Sequence, residues 1–435
     1  MERGPTGPGG EAPAPLRLAA ALCGVGLLVH ALFAPMSIAG MQIGLGIAFA
    51  GLLAAAASGW RPERTPLDLP LLALVAVCLA SEIFADGGAP DWGHGTLWRS
   101  GVGFWIVWQA LLVVPAPLQT GRRMLGCAAV GLLISGSVGV AQFWTGIDVV
   151  HLLHLRAVRA AVNAPGAPGH YGAMGLFISR LTFGHNALVF LSLFSGVLIA
   201  GSARGALRWL LALSTAVGLV ALVMTLDRGA WLGLIAAAAA LLVAVLWRAG
   251  PRKAGAALAS LLPALAMLLA WGPSRERLSS ALSVAANRDR VFIWSRALEI
   301  IRDHPLTGVG FGNFHNVCSR YYDRVDPAFP MRTWAHNSLL SLLAETGPLG
   351  LVCAAWLVFA IARALLSRLR AGGPYALGAL AAACGLFVAG LVHDVIYDTK
   401  VMYPLWLALA LALGAAGAAP SGAVPQDRAN PDRCE

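Results

Sequence analysis

Two residues stand where an ionisable side chain is hard to explain by solvation alone. Arg228 lies in Leu226-Asp-Arg-Gly-Ala-Trp231, at the head of a long apolar run with almost no loop before it. A charge placed there faces a polar cavity, pairs with its neighbour Asp227, or reaches toward lipid headgroups. His336 opens a second apolar run, in Trp334-Ala-His-Asn-Ser338. Backbone amides at a helix start and a membrane boundary both oppose the imidazolium form. They leave a neutral ring that can accept a proton, unless the histidine serves only as a cap or an interfacial group. Glu345 follows nine residues later, about 13 Å along a helix and on its opposite side, so the two are no obvious dyad. It is read as pairing with an inner arginine or capping a break at Gly347-Pro348.

Arginine dominates the charge. Of 31 lysines and arginines only Lys253 and Lys400 are lysine, and the formal net charge is +10. The guanidinium fork never deprotonates and grips oxyanions with two parallel bonds, so such a chain suits phosphate or pyrophosphate. Arginines are dense in two long segments, 145–180 and 272–335. The second holds a helical pattern from Arg288 to Arg302, with Val291, Phe292, Trp294, Ala297, Leu298 and Ile301 at three- and four-residue steps and Asn287 as a candidate cap. After His304-Pro305 comes Thr307-Gly-Val-Gly-Phe-Gly-Asn-Phe314, whose alternating glycines predict a tight turn with close backbone approach. It is read as packing the amphipathic helix onto the rest of the chain, since no strand precedes it as a nucleotide-binding loop requires. His185, Asn337 and the group of Asp394 and Asp398 with His393 and Tyr397 are candidates for lining the same cavity. His151 and His154 could face one way, but no carboxylate cluster or cysteine spacing completes a metal site.

These residues need a scaffold, and the composition names its solvent. The chain is 58% hydrophobic and 12% charged, about half the charge of an average soluble domain. A bilayer core takes about 20 apolar residues per helix. Twelve candidate spans lie near 16–34, 36–57, 67–84, 97–114, 124–144, 181–200, 209–226, 229–247, 254–271, 336–362, 375–393 and 401–418. With the N-terminus in the cytoplasm, the inward connections carry Arg61 and Arg64, Arg122 and Arg123, Arg204 and Arg208, Arg248 with Arg252 and Lys253, and Arg363 with Arg368 and Arg370. The short outward loop at 85–96 carries Asp86 and Asp91, as the positive-inside rule expects. The expected class is an all-α integral membrane protein of about twelve helices with both termini cytoplasmic. Residues 1–15 form a disordered tail, 16–271 the first nine helices with an outward loop near 145–180, and 272–335 a large extracytoplasmic loop. Residues 336–418 form the last three helices and 419–435 a second tail. The first apolar run lacks a small-x-small cleavage site and is read as a retained anchor. Cys318 alone among the cysteines faces outward, so no outer disulfide within the chain is expected.

The combination resembles the O-antigen ligase/O-antigen polymerase superfamily. The residues that carry it are Arg228-Gly-Ala-Trp231, Arg290-Val-Phe-Ile-Trp294, His304-Pro-Leu-Thr-Gly-Val-Gly-Phe-Gly-Asn-Phe314, and His336-Asn-Ser-Leu-Leu-Ser-Leu-Leu-Ala-Glu-Thr-Gly347. Each motif is modest, and their order and spacing over 225–352 make the match. The resemblance implies a GT-C-type glycosyltransferase at the outer face of the bacterial inner membrane. It would move a glycan from undecaprenyl pyrophosphate to an acceptor hydroxyl, without a metal or other cofactor and with inversion. By the same resemblance Arg228 and Arg290 bind the donor pyrophosphate, and His336 activates the acceptor or holds the donor. Gly175-Leu-Phe-Ile-Ser-Arg180 is similar to a further basic segment of the family, with Ala173 and Met174 where an arginine is usual and Arg180 as its substitute. The acceptor is lipid A core for a ligase, another lipid-linked glycan for an exopolysaccharide or O-antigen polymerase, and a protein for a third branch.

The implied partners are therefore a lipid-linked glycan donor, a glycan or lipid A core acceptor and membrane lipids. A nucleic-acid partner is set aside because no soluble domain carries a basic face. The competing class is a transporter of a small anionic solute, which predicts charge at mid-bilayer and inverted repeats of broken helices. The charge instead gathers toward one side. A purely structural membrane subunit leaves the motif-like spacing of the long loop unexplained.

Overall fold

The computed structural model describes residues 13–83, 96–155, 157, 162–250, 255, 270–280, 283, 287–322 and 334–414. They are helical almost throughout, and their β structure is one isolated bridge between Asn163 and Tyr171. The helices are α1 (Ala14–Phe33), α2 (Ile38–Ala57), α3 (Asp68–Ile83), α4 (Thr96–Val113), α5 (Pro117–Thr145), α6 (Val149–Leu152), α7 (Arg180–Ile199), α8 (Gly205–Met224) and α9 (Arg228–Ala249). They continue as α10 (Gly272–Ser279), α11 (Arg288–Asp303), α12 (Phe314–Tyr322), α13 (Ser338–Arg370), α14 (Ala376–Gly390) and α15 (Thr399–Leu413), with a 3₁₀ turn at Val395–Tyr397.

Eleven of the twelve expected spans coincide with helices, and most of the twelfth, 254–271, lies outside the described residues. Seven of these helices are long and apolar enough to cross a membrane, and α14 and α15 are shorter apolar helices. The chain is thus built as a multi-pass membrane protein. Residues 1–12 and the whole of the expected second tail, 85–95 of the acidic loop, Arg156 and Arg159, and the stretch 323–333 fall outside the described residues, while the last two residues of the expected first tail, from Ala14, already belong to α1.

Helix α7 is the centre of the bundle. Every residue from Thr182 to Phe194 is buried, as befits a helix that is apolar on all sides. It packs against α8, α9, α14 and α15. Small residues set how close those backbones come. A methyl group added at Gly196 would lie 2.2 Å from the Cα of Gly378 on α14, and one at Gly233 on α9 would lie 2.8 Å from the carbonyl oxygen of Gly385. The few polar side chains inside are spent on backbone carbonyls: Asn186 donates to Ala34 and Lys400, and Ser214 to Ala129. That is the requirement of an interior without water.

Four helix starts at one end of the bundle carry short polar caps. Ser179 caps α7, Asp227 caps α9, Asn337 caps α13 and Asp398 caps α15, each accepting a backbone N–H from the first turn. Asn337, expected to line a cavity, spends its side-chain oxygen on the amides of Leu339 and Leu340.

The amphipathic helix forms as expected, over Arg288–Asp303, with a different buried stripe. Ile293, Ala297 and Ile300 are its buried residues, while Val291 and Leu298 stay exposed. The buried three form a small core with Val309, Phe314, Val317, Cys318, Ala335 and Ala344. Helix α12 and the start of α13 pack on the 293–297–300 row, with Phe292 and Ile301 partly buried against the same core. Asn287 does not cap this helix through its side chain.

The 2.2 Å contact predicts that Gly196→Leu destabilises the detergent-solubilised protein by on the order of 3 kcal/mol, since backbone rather than a flexible side chain blocks the new group. Gly46→Leu, where nothing lies within 4 Å, leaves the melting temperature near wild type.

Candidate functional site

The turn between α8 and α9 organises the capped end. Leu226 adopts a left-handed φ of 52°, a conformation that costs a branched residue of order 1 kcal/mol or more and persists only when its surroundings hold it. The Thr225 hydroxyl donates to the carbonyl of Leu222 and accepts from the amide of Asp227, closing the turn from within. The turn aims two carbonyls outward. One Arg180 nitrogen donates to both, at 2.9 Å to Thr225 and 3.1 Å to Leu226. Arg277 on α10 donates its Nε to the same Leu226 carbonyl at 3.3 Å. Arg228 turns away from Asp227 and bonds the carbonyl of Ser280 at 3.1 Å and the side-chain oxygen of Asn287 at 2.9 Å. Asn287 is therefore a holder of Arg228 rather than a helix cap, and its amide nitrogen anchors to Ser283 at 2.9 Å.

Arg180 reaches the turn because the segment before it is pinned. Gln142 on α5 binds it twice, donating to the carbonyl of Gly175 at 2.8 Å and accepting from the amide of Met174 at 3.2 Å. The amide of Ala173 donates to the carbonyl of Met224. Gly172 leaves room for the arginine stem, since an added methyl there would lie 2.7 Å from its Cδ. The Ala173-Met174 pair thus fastens the segment while Arg180 supplies the charge.

Electrostatics joins these groups. Burial first, and then the charges of Arg228 and Arg180, lower Arg277 to about 10, with Arg290 adding a smaller push. Arg290 at the start of α11 is lowered by burial and by Arg228, opposed by Asp227 and Asp394. Four guanidinium groups share this region with those two carboxylates, so it stays net positive. The N-termini of α7 and α9 add to that potential. Four crowded, half-buried cations with too few counter-charges make a site for a multiply charged anion.

The second half of the site is a stack of histidines. His185 on α7 donates Nδ1–H to the carbonyl of Leu181 at 2.7 Å, since a carbonyl only accepts. The same nitrogen lies 3.4 Å from an oxygen of Asp227. The rings of His185 and His393 are 4.8 Å apart and 17° from parallel, and those of His393 and His336 are 5.8 Å apart and 16° from parallel. A continuous path therefore runs from the Asp227-Arg228 turn to His336. Parallel rings pack against one another and do not converge on a common point. Among the described residues no group of three or more His, Cys, Asp or Glu side chains is arranged around a metal.

His336 is held by its backbone. Its φ is 51°, again left-handed. Its amide donates to Asp394 at 2.5 Å, and the Ser341 hydroxyl donates to the other Asp394 oxygen at 2.5 Å. Ser338 donates to the carbonyl of His393 at 3.0 Å and accepts from the amide of Val395 at 3.1 Å. The indole of Trp294 donates to the carbonyl of Ala335 at 3.0 Å. Burial raises Asp394 to about 6, against the pull of its hydrogen bonds and of Arg290. Asp394 thus positions His336 through the main chain.

Glu345 neither pairs with an arginine nor faces His336. It is fully buried and accepts the amide of Phe314 at 3.1 Å and the hydroxyl of Tyr397. The helix is broken two residues on, at Gly347 (φ 65°, ψ −171°), as Gly-Pro predicted. The break frees the carbonyls of Ala344 and Glu345, which the amides of Val309 and Gly310 take up at 2.9 Å each. This is why the loop needs its glycines: a methyl at Gly308 would lie 2.3 Å from the Glu345 backbone, and one at Gly347 2.1 Å from the carbonyl oxygen of Leu306.

The structure thus gathers Arg180, Arg228, Arg290, His185, Asp394 and His336 at one end of the bundle, and brings in Arg277 and His393 as well. The sequence singles out neither as a site residue, although His393 is noted beside Asp394 at the end of a late apolar run. Arg277 sits among other loop arginines, and His393 is separated by 208 positions from His185. His151 and His154 are exposed or half-exposed on and beside the short α6 and enter none of these contacts.

Residues 211–355, a third of the 435-residue chain, match the family model described as O-antigen ligase. None of the curated proteins compared with the chain is a match. The matched stretch covers α8 to the first half of α13, and so holds Arg228, Arg277, Arg290, the glycine loop and His336.

Removing the Glu345 carboxylate leaves the buried Phe314 amide and Tyr397 hydroxyl unpaired. Glu345→Ala is expected to cost about 1–3 kcal/mol and to open residues 304–314 to limited proteolysis in the detergent-solubilised protein, with α13 beyond Gly347 remaining protected.

Proposed function

We propose that the chain, whose residues 211–355 match the family model described as O-antigen ligase, is a membrane glycosyltransferase of the O-antigen ligase/polymerase superfamily that moves a glycan from undecaprenyl pyrophosphate to an acceptor hydroxyl. The acceptor is a second lipid-linked glycan or lipid A core. The reaction takes place at the outer face of the bacterial inner membrane, within a GT-C-type bundle of about twelve spans with both termini in the cytoplasm. The observation that carries this reading is the convergence of Arg180, Arg228, Arg277 and Arg290 around the Leu226 turn, joined through the histidine stack to His336.

Each part has a physical task. A pyrophosphate diester carries two negative charges that must leave with the lipid. Arginines neutralise them in place, the role a divalent ion plays in many soluble enzymes. Arg228, Arg290 and Arg277 supply donors, and Arg180 holds the turn that presents Arg228 while adding its own charge. The acceptor oxygen attacks the anomeric carbon from the face opposite the leaving group, which inverts the configuration. As the new C–O bond forms, the old bond to phosphate breaks and its electron pair departs with undecaprenyl pyrophosphate. The hydroxyl proton passes to neutral His336. A lipid carrier accounts for a site at the ends of membrane helices, where the headgroup of a bilayer-embedded donor arrives.

Arg228→Ala and His336→Ala are each expected to abolish surface polymer while the protein still inserts, with lipid-linked repeat units accumulating. Wild-type polymer from both variants would sink the reading. Arg277→Ala is expected to raise the KM for the lipid-linked donor about tenfold with little change in kcat, as loss of one charge-assisted bond predicts.

A further inference from the structure

We propose that His393 is a positioning residue whose ring, stacked between His185 and His336, holds the His336 imidazole in place and receives on its π face the charge that His336 gains during transfer. The inference rests on the glycosyltransferase reading and adds a role for a residue outside its arginines and base.

The geometry is specific. His393 is the middle member of three rings drawn from three separated parts of the chain: the second turn of α7, the corner after α14, and the residue before the Asn337 cap of α13. The two ring pairs are within 17° of parallel. The corner that carries His393 is laced to the start of α13 by the Ser338 and Asp394 bonds to backbone and by Ser341. Those bonds fix the main chain of both His336 and His393, so their side chains meet in one register.

The chemistry requires the middle ring to stay uncharged. The charged and titratable groups acting on it are His185 from α7, His336 from the start of α13 and Arg290 from α11, with Asp394 adjacent in sequence. Burial and those neighbours hold His393 well below the usual histidine range. A neutral aromatic ring beside a newly formed imidazolium stabilises it as a cation over a π face, whereas a second protonated histidine would repel it. His185 completes the arrangement from the other side. Its Nδ1–H is committed to Leu181, and its position beside Asp227 ties the stack to the turn that presents Arg228.

The test uses the full-length chain in detergent, with the lipid-linked glycan extracted from cells deleted for this protein as donor. His393→Phe keeps an aromatic face and loses the titrating nitrogen, while His393→Leu and His393→Gln keep bulk and lose the ring. The expected result is a kcat for His393→Phe within about threefold of wild type. For the two non-aromatic variants kcat falls about tenfold or more with the donor KM unchanged, the size of a desolvated cation–π contact. Equal activity of the three variants, whether high or low, or an effect confined to KM, overturns the role. His336→Ala measured alongside separates the two levels: if it retains activity the glycosyltransferase mechanism fails, and if it alone is dead while the His393 variants are alike, only the stacking role fails.

Discussion

Two backbone carbonyls carry the arrangement at the capped end. Thr225 and Leu226 present them because Leu226 is held in a left-handed turn, and Arg180 and Arg277 converge on them. A neutral carbonyl is an unusual choice of anchor for buried cations. A carboxylate would neutralise the guanidinium and spoil it for an incoming anion, whereas a carbonyl orients it and leaves the charge in place. Asp227, the acid in the turn, is directed instead to the amide of Gly229 and toward His185. The strain at Leu226 is thus the local cost of keeping positive potential unspent.

The broken helix α13 does the corresponding work for the histidine half. A continuous helix of 33 residues would be about 50 Å long, well beyond the hydrocarbon thickness. Breaking it at Gly347 leaves a short leading segment that the glycine loop grips through the freed carbonyls, with Glu345 and Tyr397 beneath. That segment carries Asn337 and His336 at its head. Helices α11 and α12 share a core with it, so Arg290 and His336 are positioned by the same packing. The motif spacing between residues 288 and 347 reflects this joint packing.

Much of this could be read from residue order. Long apolar runs placed eleven helices, because a bilayer permits backbone polar groups few alternatives to helix. Gly347-Pro348 marked the break, alternating glycines marked the close approach, and Arg228 and His336 stood out as polar groups at the heads of apolar runs. The stripe of α11 was harder. Its sequence is apolar on more than one side, and only neighbouring helices decide that Ile293, Ala297 and Ile300 are the buried row while Val291 is exposed. Asn287 reads as a cap of the helix it precedes, and Glu345 as the cap of the break beside it or the partner of an inner arginine, because one dimension shows only sequence proximity and charge type. Their partners, Arg228 and Tyr397, lie 59 and 52 positions away.

Composition, run length and spacing therefore determined the membrane class, the helices and the chemical types at the site, since each depends on the solvent or on residues within a turn or two. Tertiary structure decided which of the many arginines lie together, and that His185, His393 and His336 form one stack. Those facts depend on how α7, α9, α11, α13 and the corner after α14 pack around glycine contacts such as Gly196 with Gly378. Close packing is a property of pairs of surfaces, and neither surface carries it alone.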